Sequence, residues 1–239
     1  MTSHRIQTRG AQRHAVLYSL LAAYANAPSP SHIPAMALAH QPSLFGPEPE
    51  PDLPPGFVYR PDFLSSLEEA ELAAWLAALP FEPFQFRGYE GKRRVVSFGW
   101  QYDFTRSHLT KADDMPAELL PVRARAAAFA GLAPQDLQQC LLNEYLPGAP
   151  IGWHRDRPIF EKVVGISLLA ACSFRLRRRV GEGFERTALE LAPRSIYLLT
   201  GEARSAWEHS IPPVKAHRYS ITFRNFREAP FCEARPPAA

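Results

Sequence analysis

Cysteine is scarce in this sequence, and long apolar runs are missing. The 239 residues include three cysteines, Cys140, Cys172 and Cys232, which are widely spaced and form no C-x-x-C pair. This pattern argues against a disulfide framework or a thiolate zinc site, so each cysteine is interpreted as a small buried hydrophobic residue or an idle thiol. Such usage suits a reducing compartment, and we expect a cytoplasmic protein. No apolar run approaches the roughly 20 residues that cross a bilayer, so we expect no membrane partner.

Acidic residues are absent from the first 47 positions. That segment carries Arg5, Arg9 and Arg13, which account for the whole formal net charge of +3. Residues 48–239 are therefore neutral overall. The basic pI of 8.8 is for this reason no sign of nucleic-acid binding.

The N-terminal segment does not look like a domain. Its arginines precede AVLYSLLAA and then YANA, which imitates the basic, apolar and small-residue regions of a signal peptide and also resembles a transit peptide. Translation from Met36 is a third interpretation. We expect an extension with a proline-rich linker over residues 1–56, one folded domain over 57–228 and a tail over 229–239. Nothing in the sequence demands more than a monomer.

Two helices are predicted in the front half of the domain. Ser65 or Ser66 can cap the first, because a glutamate follows three residues later, as in a capping box. Apolar residues then recur at helical spacing until Pro80 ends the pattern. The second helix is predicted from about Pro116 to Gly131.

The segment between these helices, residues 84–104, has the short alternation and the glycines of a β-hairpin. We expect basic residues at its bend and aromatic residues after it. Such a mixture could bind a nucleic acid through phosphate contacts and base stacking, or it could be a solvated turn followed by half-buried strand residues. The residues concerned are Lys92, Arg93, Arg94, Phe98 and Trp100.

After residue 137 the pattern is that of successive strands with glycine and proline turns, one of them KVVGISLLAACSFRLRRR over residues 162–179. No helix is predicted among them, which favours a sandwich or barrel over a parallel sheet with crossover helices. The predicted fold class is α+β, with a helical front half covering an all-β back half.

The stretch NEYLPGAPIGWHRD, residues 143–156, is the first candidate site. Side chains two apart share one face of a strand, so His154 and Asp156 would point the same way if extended. An imidazole and a carboxylate on one face make two ligands for a borderline metal, and iron(II) oxygenases add a second histidine to complete a three-ligand face. His209, in SAWEHSIPP, is the best candidate, with His217 and His108 as rivals.

The stretch RYSITFR, residues 218–224, separates into two faces. Arg218 and Arg224 share one face with Ser220 and Thr222, and the other face is apolar. Buried arginines need anionic partners, and no acidic residue follows Glu208 until Glu228. A small dicarboxylate ligand would satisfy both guanidiniums. Asn143 and Tyr145 share a strand face in the same way and would offer hydrogen bonds to that ligand.

The order and spacing of these stretches resemble the signatures of the AlkB-like iron(II)- and 2-oxoglutarate-dependent dioxygenases. The resemblance spans roughly residues 57–228 and implies a double-stranded β-helix, or jelly-roll core, with a nucleotide-recognition lid at the hairpin. It implies oxidative demethylation of N-alkylated bases with iron(II), 2-oxoglutarate and dioxygen. The implied iron ligands are His154, Asp156 and His209. The implied 2-oxoglutarate contacts are Asn143, Tyr145, Arg218 and Arg224, with Ser220 and Thr222 beside them.

The substrate is less defined by the sequence. Family members that repair DNA tend to carry a second acid shortly after the ligand aspartate, and Pro158 occupies that position here. We expect alkylated single-stranded DNA or RNA as the partner, with a protein side chain or small molecule as a second hypothesis for the same chemistry. A non-catalytic nucleic-acid-binding module is the third. The candidate substrate contacts are Lys92, Arg93, Arg94, Phe98, Trp100 and Arg175.

Overall fold

The structure, a computed structural model, describes residues 52–86, 89–103 and 108–227. The N-terminal extension, the C-terminal tail and Cys232 lie outside the described residues. The predicted domain limits therefore stay predictions. No helix in the described ranges is long and apolar enough to span a bilayer.

Short antiparallel strands are the main secondary-structure elements of the described residues. Three helices accompany them: α1 (Ser66–Ala77), α2 (Leu120–Ala130) and α3 (Gly201–Ser205). The strands are β1 (Phe57–Arg60), β2 (Glu82–Phe86), β3 (Tyr89–Phe98), β4 (Trp100–Asp103), β5 (His108–Lys111), β6 (Gln139–Tyr145), β7 (Ile151–His154), β8 (Phe160–Leu168), β9 (Cys172–Val180), β10 (Gly183–Leu191), β11 (Ile196–Leu199), β12 (Glu208–Ile211) and β13 (Arg218–Phe226).

Two sheets form the core of the fold. The larger has seven strands in the order β1-β11-β8-β13-β6-β3-β2, and the smaller has four in the order β10-β9-β12-β7. The pair β4-β5 stands as a separate two-stranded sheet. One apolar cluster joins residues of both large sheets, such as Phe174 of β9 and Leu199 of β11. This is the jelly-roll core that the sequence resemblance implies, and the predicted fold class is confirmed.

A second apolar cluster joins the helices to the larger sheet. Leu76 of α1 and Ala126 of α2 belong to it together with Ile221 and Phe223 of β13, and all four are fully buried. Burying each large apolar side chain contributes about 1.5–3 kcal/mol to stability. The predicted division of β13 into an apolar face and a polar face is therefore correct, and the apolar face packs toward the helices.

Both long helices match their sequence signals. The Ser65 side chain accepts a hydrogen bond from the Glu68 amide, and the Glu68 carboxylate accepts one from the Ser65 amide, which completes the capping box. The second helix begins as a 3₁₀ turn at Ala117–Leu119 and ends at Gly131, whose φ of 64° is the left-handed conformation typical of a C-terminal cap.

Three local predictions were wrong. The short helix α3 lies among the strands, where no helix was expected. The strand predicted over residues 162–179 is instead two strands, β8 and β9, because the chain turns at Leu169 with a φ of 71°. The three basic residues expected at the hairpin bend lie inside β3, since β2 ends at Phe86 and β3 begins at Tyr89.

Gly165 of β8 permits a close approach between two strands. A Cβ atom at this position would lie 2.2 Å from the ring of Tyr197, its antiparallel partner on β11. Tyr197 lines the pocket between the two sheets. A side chain at position 165 would therefore displace a wall of that pocket.

Candidate active site

Two histidines and one aspartate meet inside the jelly roll. His209 of β12 is the antiparallel partner of His154 at the end of β7, and the centroids of their rings are 4.2 Å apart. Asp156 follows two residues after His154, beyond the strand. One potential ligand atom of each residue lies within 4.8 Å of those of the other two. The structure thus brings together the three residues that the sequence singled out as metal ligands.

The protonation states of this cluster suit a divalent metal. Burial lowers the pKa of His209 to about 3, and the nearby His154 adds to the effect. Burial also lowers the pKa of His154. Burial alone would raise the pKa of Asp156, but Arg224 and the two imidazoles outweigh it and hold that pKa well below its ordinary value. Neutral imidazoles beside an ionised carboxylate are the forms that bind metal.

The hydrogen bonds of the cluster leave a site for a cation. Asp156 accepts a hydrogen bond through Oδ1 from Arg224 Nε at 2.8 Å, and the same oxygen lies 2.7 Å from Arg224 Nη2 in an ion pair. Its Oδ2 is buried without a hydrogen-bond partner and lies 3.6 Å from His209 Nε2. His154 Nδ1 lies 2.9 Å from the Gly152 carbonyl, so a proton on Nδ1 leaves Nε2 free. The residues present therefore fit iron(II).

The other end of the pocket holds a buried guanidinium. Arg218 is 1% exposed, and its Nη2 donates to Ser167 Oγ at 2.9 Å. Its Nε and Nη1 have no hydrogen-bond partner, and the ring of Tyr145 lies 4.6 Å from its Cζ. A buried cation without an anion is costly. A ligand carboxylate would supply that anion, which fits the distal end of 2-oxoglutarate.

Neutral polar groups line the same pocket. Asn143 donates from Nδ2 to Ser220 Oγ at 3.3 Å, and the Tyr145 hydroxyl lies 3.5 Å from the same oxygen. Thr222 continues this row along β13. Their pairing follows from the register, in which Ser220 faces Asn143 across β13 and β6. All the residues that the sequence assigned to 2-oxoglutarate therefore reach one pocket.

The anionic partner of Arg224 is a residue of the protein and not the ligand that the sequence predicted. The sequence between Glu208 and Glu228 contains no acidic partner for Arg224, but Asp156 provides one from the segment after β7. Arg224 Nη1 also donates to Gln139 Oε1 at 2.7 Å. This guanidinium is therefore satisfied within the protein, whereas that of Arg218 is not.

Apolar walls complete the pocket, which holds about 480 Å³ of space free of protein atoms, part of it open to solvent. Tyr197 belongs to these walls, and burial raises the pKa of its hydroxyl. Sequence reasoning missed these residues because apolar strand positions do not show which of two cores they enter. They are Leu141, Ile151, Val163, Phe174, Leu191, Tyr197 and Ile211.

The three basic residues of β3 have separate environments. Lys92 is exposed. Arg93 lines the pocket and donates to Asn143 Oδ1 at 3.4 Å. Arg94 points to the other face, where it binds Glu144 at 2.7 Å and the Phe81 carbonyl at 2.6 Å. Only Arg93 of these three is placed to contact a ligand in the pocket.

The remaining substrate candidates lie outside the pocket lining. Phe98 packs against the core beneath the helices, so its expected role in base stacking is not supported. Trp100 is half-buried and contacts Phe226 edge-on at 5.8 Å. Arg175 donates to Ser210 Oγ at 3.1 Å and lies over the Trp153 ring.

The rival histidines do not join the cluster. His217 contacts Glu144 at 3.3 Å, on the face of β6 opposite to Asn143. The side chain of His108 lies outside the described residues.

Comparison with known proteins gives the family. The model of the 2OG-Fe(II) oxygenase superfamily matches residues 56–224. The chain is 31% identical over 221 residues to an alkylated DNA repair protein ALKBH8 homologue of Arabidopsis thaliana, covering 77% of this chain and 61% of that protein. It is 32% identical over 128 residues to the alpha-ketoglutarate-dependent dioxygenase AlkB of Salmonella typhimurium, covering 48% of this chain and 57% of that protein.

Two further matches are to a much longer protein and to a solved structure. The mouse tRNA (carboxymethyluridine(34)-5-O)-methyltransferase ALKBH8 is 29% identical, and the match covers 68% of this chain but 25% of that protein. The chain thus spans between a quarter and about three fifths of these relatives. The solved structure of OsALKBH1 superposes with a TM-score of 0.58 at 16% identity, covering 72% of this chain and 98% of that chain.

The chain belongs to the 2OG-Fe(II) oxygenase superfamily, and its relatives make it an AlkB-like member. The resemblance drawn from the sequence is confirmed. Iron(II), 2-oxoglutarate and dioxygen are the cofactor and cosubstrates of this family, and the described residues fit both the metal and the dicarboxylate.

Proposed function

We propose that this dioxygenase oxidatively demethylates N-alkylated bases in DNA or RNA. One observation carries the chemistry: a cluster of two histidines and an aspartate shares a pocket with the buried, partly unpaired guanidinium of Arg218. A metal at one end and a carboxylate anchor at the other are the two fixed points that 2-oxoglutarate requires.

His154, Asp156 and His209 would hold the iron through two neutral imidazoles and one carboxylate. When bound, iron(II) supplies activation of dioxygen at the expense of 2-oxoglutarate. In this chemistry one oxygen atom would enter succinate as carbon dioxide leaves, and the other would convert an N-methyl group to N-hydroxymethyl. That group then separates as formaldehyde and leaves the nitrogen bearing hydrogen, so atoms and electrons balance.

The protein's own residues position and shield this reaction. Arg218 would anchor the distal carboxylate of 2-oxoglutarate, while Asn143 and Tyr145 offer hydrogen bonds along its length. Arg224 orients Asp156 by its two contacts to Oδ1 and leaves Oδ2 toward the metal. Apolar side chains line the rest of the pocket, and a ligand that displaces water from it would strengthen each of these polar contacts.

Two kinds of support favour a nucleic acid. The Arabidopsis relative is named for repair of alkylated DNA, and the mouse relative for a tRNA modification. In addition, arginines alternate with aromatic rings on the outer face of the smaller sheet, which backs directly onto the metal cluster. Arg177 lies 4.4 Å from the ring centroid of Trp153 and 4.3 Å from that of Phe184, with Arg186 5.3 Å from the latter. Cations and stackable rings are what a single strand contacts.

The test is release of succinate and formaldehyde from single-stranded DNA and RNA that carry methylated bases, with iron(II), ascorbate and 2-oxoglutarate. We expect formaldehyde only with the methylated strands, and none with His154→Ala. Succinate that forms without formaldehyde on every methylated strand would contradict a nucleic-acid substrate and favour the same chemistry on a protein side chain or small molecule.

A further inference from the structure

Arg93 brings a third guanidinium to the pocket. It extends from β3 and is half-buried, with its Cζ 3.9 Å from the centroid of the Phe84 ring. Its hydrogen-bonding partner Asn143 is neutral. Across the described ranges, no carboxylate lies within ion-pair distance of Arg93. Neither the metal cluster nor the Arg218 anchor requires this cation.

The charges that line the pocket do not balance. Arg93, Arg218 and Arg224 carry three positive charges, and Asp156 is the one carboxylate among the lining residues. His154 and His209 add no charge to this count, because imidazole binds a metal in its neutral form. Iron(II) and 2-oxoglutarate carry two opposite charges each and cancel. Two positive charges therefore remain in the pocket when it is loaded.

We propose that Arg93 determines specificity by making this pocket select neutral methylated bases over cationic ones. This inference rests on the proposed demethylation of nucleic acids and names the chemical class of base within it. A methyl group at N3 of cytosine or N1 of adenine leaves a positive charge on the ring at neutral pH. A methyl group at N3 of uracil or N1 of guanine leaves the ring neutral.

Two physical effects act in the same direction. A cationic ring beside Arg93 meets like charge in a partly desolvated pocket, and such juxtaposition is strongly unfavourable. Burial lowers the pKa of the Arg93 guanidinium, although Tyr145 and Asp156 act against that shift. A neutral uracil or guanine instead presents carbonyl oxygens that can accept hydrogen bonds from Arg93.

The experiment uses two substrates that match in size and methyl position. Two single-stranded RNAs of one sequence carry either 3-methyluracil or 3-methylcytosine, and initial rates of demethylation are compared for each enzyme. The ratio of the two rates does not depend on the amount of folded protein. For the wild type we expect the rate on 3-methyluracil to exceed that on 3-methylcytosine by about tenfold or more.

Variants at position 93 separate charge from packing. Arg93→Lys keeps the charge and is expected to keep the preference. Arg93→Gln should reduce it, and Arg93→Glu should reverse it in favour of 3-methylcytosine. A role limited to packing on Phe84 would lower both rates together and leave the ratio unchanged.

Three results would overturn the inference. One is a wild type that demethylates 3-methylcytosine as fast as 3-methyluracil. Another is an Arg93→Glu variant with the wild-type ratio. If neither RNA yields formaldehyde while succinate still forms, the proposed function fails, and the inference fails with it. This third pattern is distinct from the first two, in which product forms but charge does not matter.

Discussion

Arg218 and Arg224 lie on the same face of one strand, yet they meet different chemistry. Arg224 is paired with Asp156 and Gln139 inside the protein, whereas Arg218 donates only to Ser167 and keeps two nitrogens without partners. Both side chains line one pocket. The difference indicates that the guanidinium at the metal end is satisfied within the protein, whereas the guanidinium at the far end is left for a ligand.

Removing the Asp156 carboxylate should have the largest effect, because it serves both the metal site and Arg224. Asp156→Ala deletes a metal ligand and leaves Arg224 without its anion, so we expect turnover to fall below detection. The free energy of unfolding should also fall, by about 3–5 kcal/mol, because a buried cation loses its partner. Urea denaturation and succinate release measure the two effects.

The matched control for that variant is Asp114→Ala. Asp114 is a surface acid whose ion pair with Lys111 is largely exposed, so stability and turnover should not change. An Asp156→Ala protein as stable as this control would show that the Arg224 ion pair does not matter to the fold.

Arg218→Met should weaken the binding of 2-oxoglutarate and leave the metal ligands unchanged. We expect KM for 2-oxoglutarate to rise about 30-fold or more, since a buried carboxylate would lose its charged partner. The ligand-free protein should be no less stable, because replacing an incompletely paired buried charge with an apolar chain is often neutral or stabilising. Initial rates and urea denaturation test both statements, with the exposed Arg60→Met as control. A strongly destabilised variant would mean that the protein itself satisfies this guanidinium.

Arg224→Met should give the complementary result. Asp156 would lose the cation that orients it, so affinity for iron(II) should fall about 10- to 100-fold. KM for 2-oxoglutarate at saturating metal should change much less than in Arg218→Met. Metal titration followed by kinetics gives both values. An equal rise in KM for the two variants would mean that the arginines share one role.

The smallest effect is expected outside the pocket. Arg179→Glu with Arg186→Glu reverses two exposed charges on the outer face of the smaller sheet. Affinity for a single-stranded oligonucleotide should fall, together with the steepness of its salt dependence. Succinate formed without a nucleic acid should stay at the wild-type level. Fluorescence anisotropy at several salt concentrations measures the binding, and unchanged affinity would remove this face from the proposed interface.

The sequence predicts the site better than its surroundings. Alternation along β13 places Arg218 and Ser220 toward the pocket and Ile221 toward the helices, because a side-chain period of two leaves no other choice once one face is buried. The capping box at Ser65 and the cap at Gly131 are equally local, and the structure contains both.

Some of the wrong predictions share a physical cause, which is contact between distant segments. The partner of Arg224 comes from the segment after β7, and no pattern within β13 could reveal it. Arg93 and Arg94 look alike in sequence, but pairing of β3 with β6 turns one into the pocket and the other to Glu144. One wrong prediction has a local cause instead, because Leu169 turns the chain with a positive φ at a position that holds no glycine.

The most direct test of the two-ended pocket is calorimetric titration of 2-oxoglutarate into protein loaded with manganese(II), an inert substitute for iron(II). We predict that 2-oxoglutarate binds the loaded wild type and binds far more weakly without metal. The Arg218→Met protein should bind manganese(II) normally and lose the affinity for 2-oxoglutarate. If that variant binds 2-oxoglutarate as tightly as the wild type, the Arg218 guanidinium is not the anchor. The separate roles assigned to Arg218 and Arg224 would then be wrong.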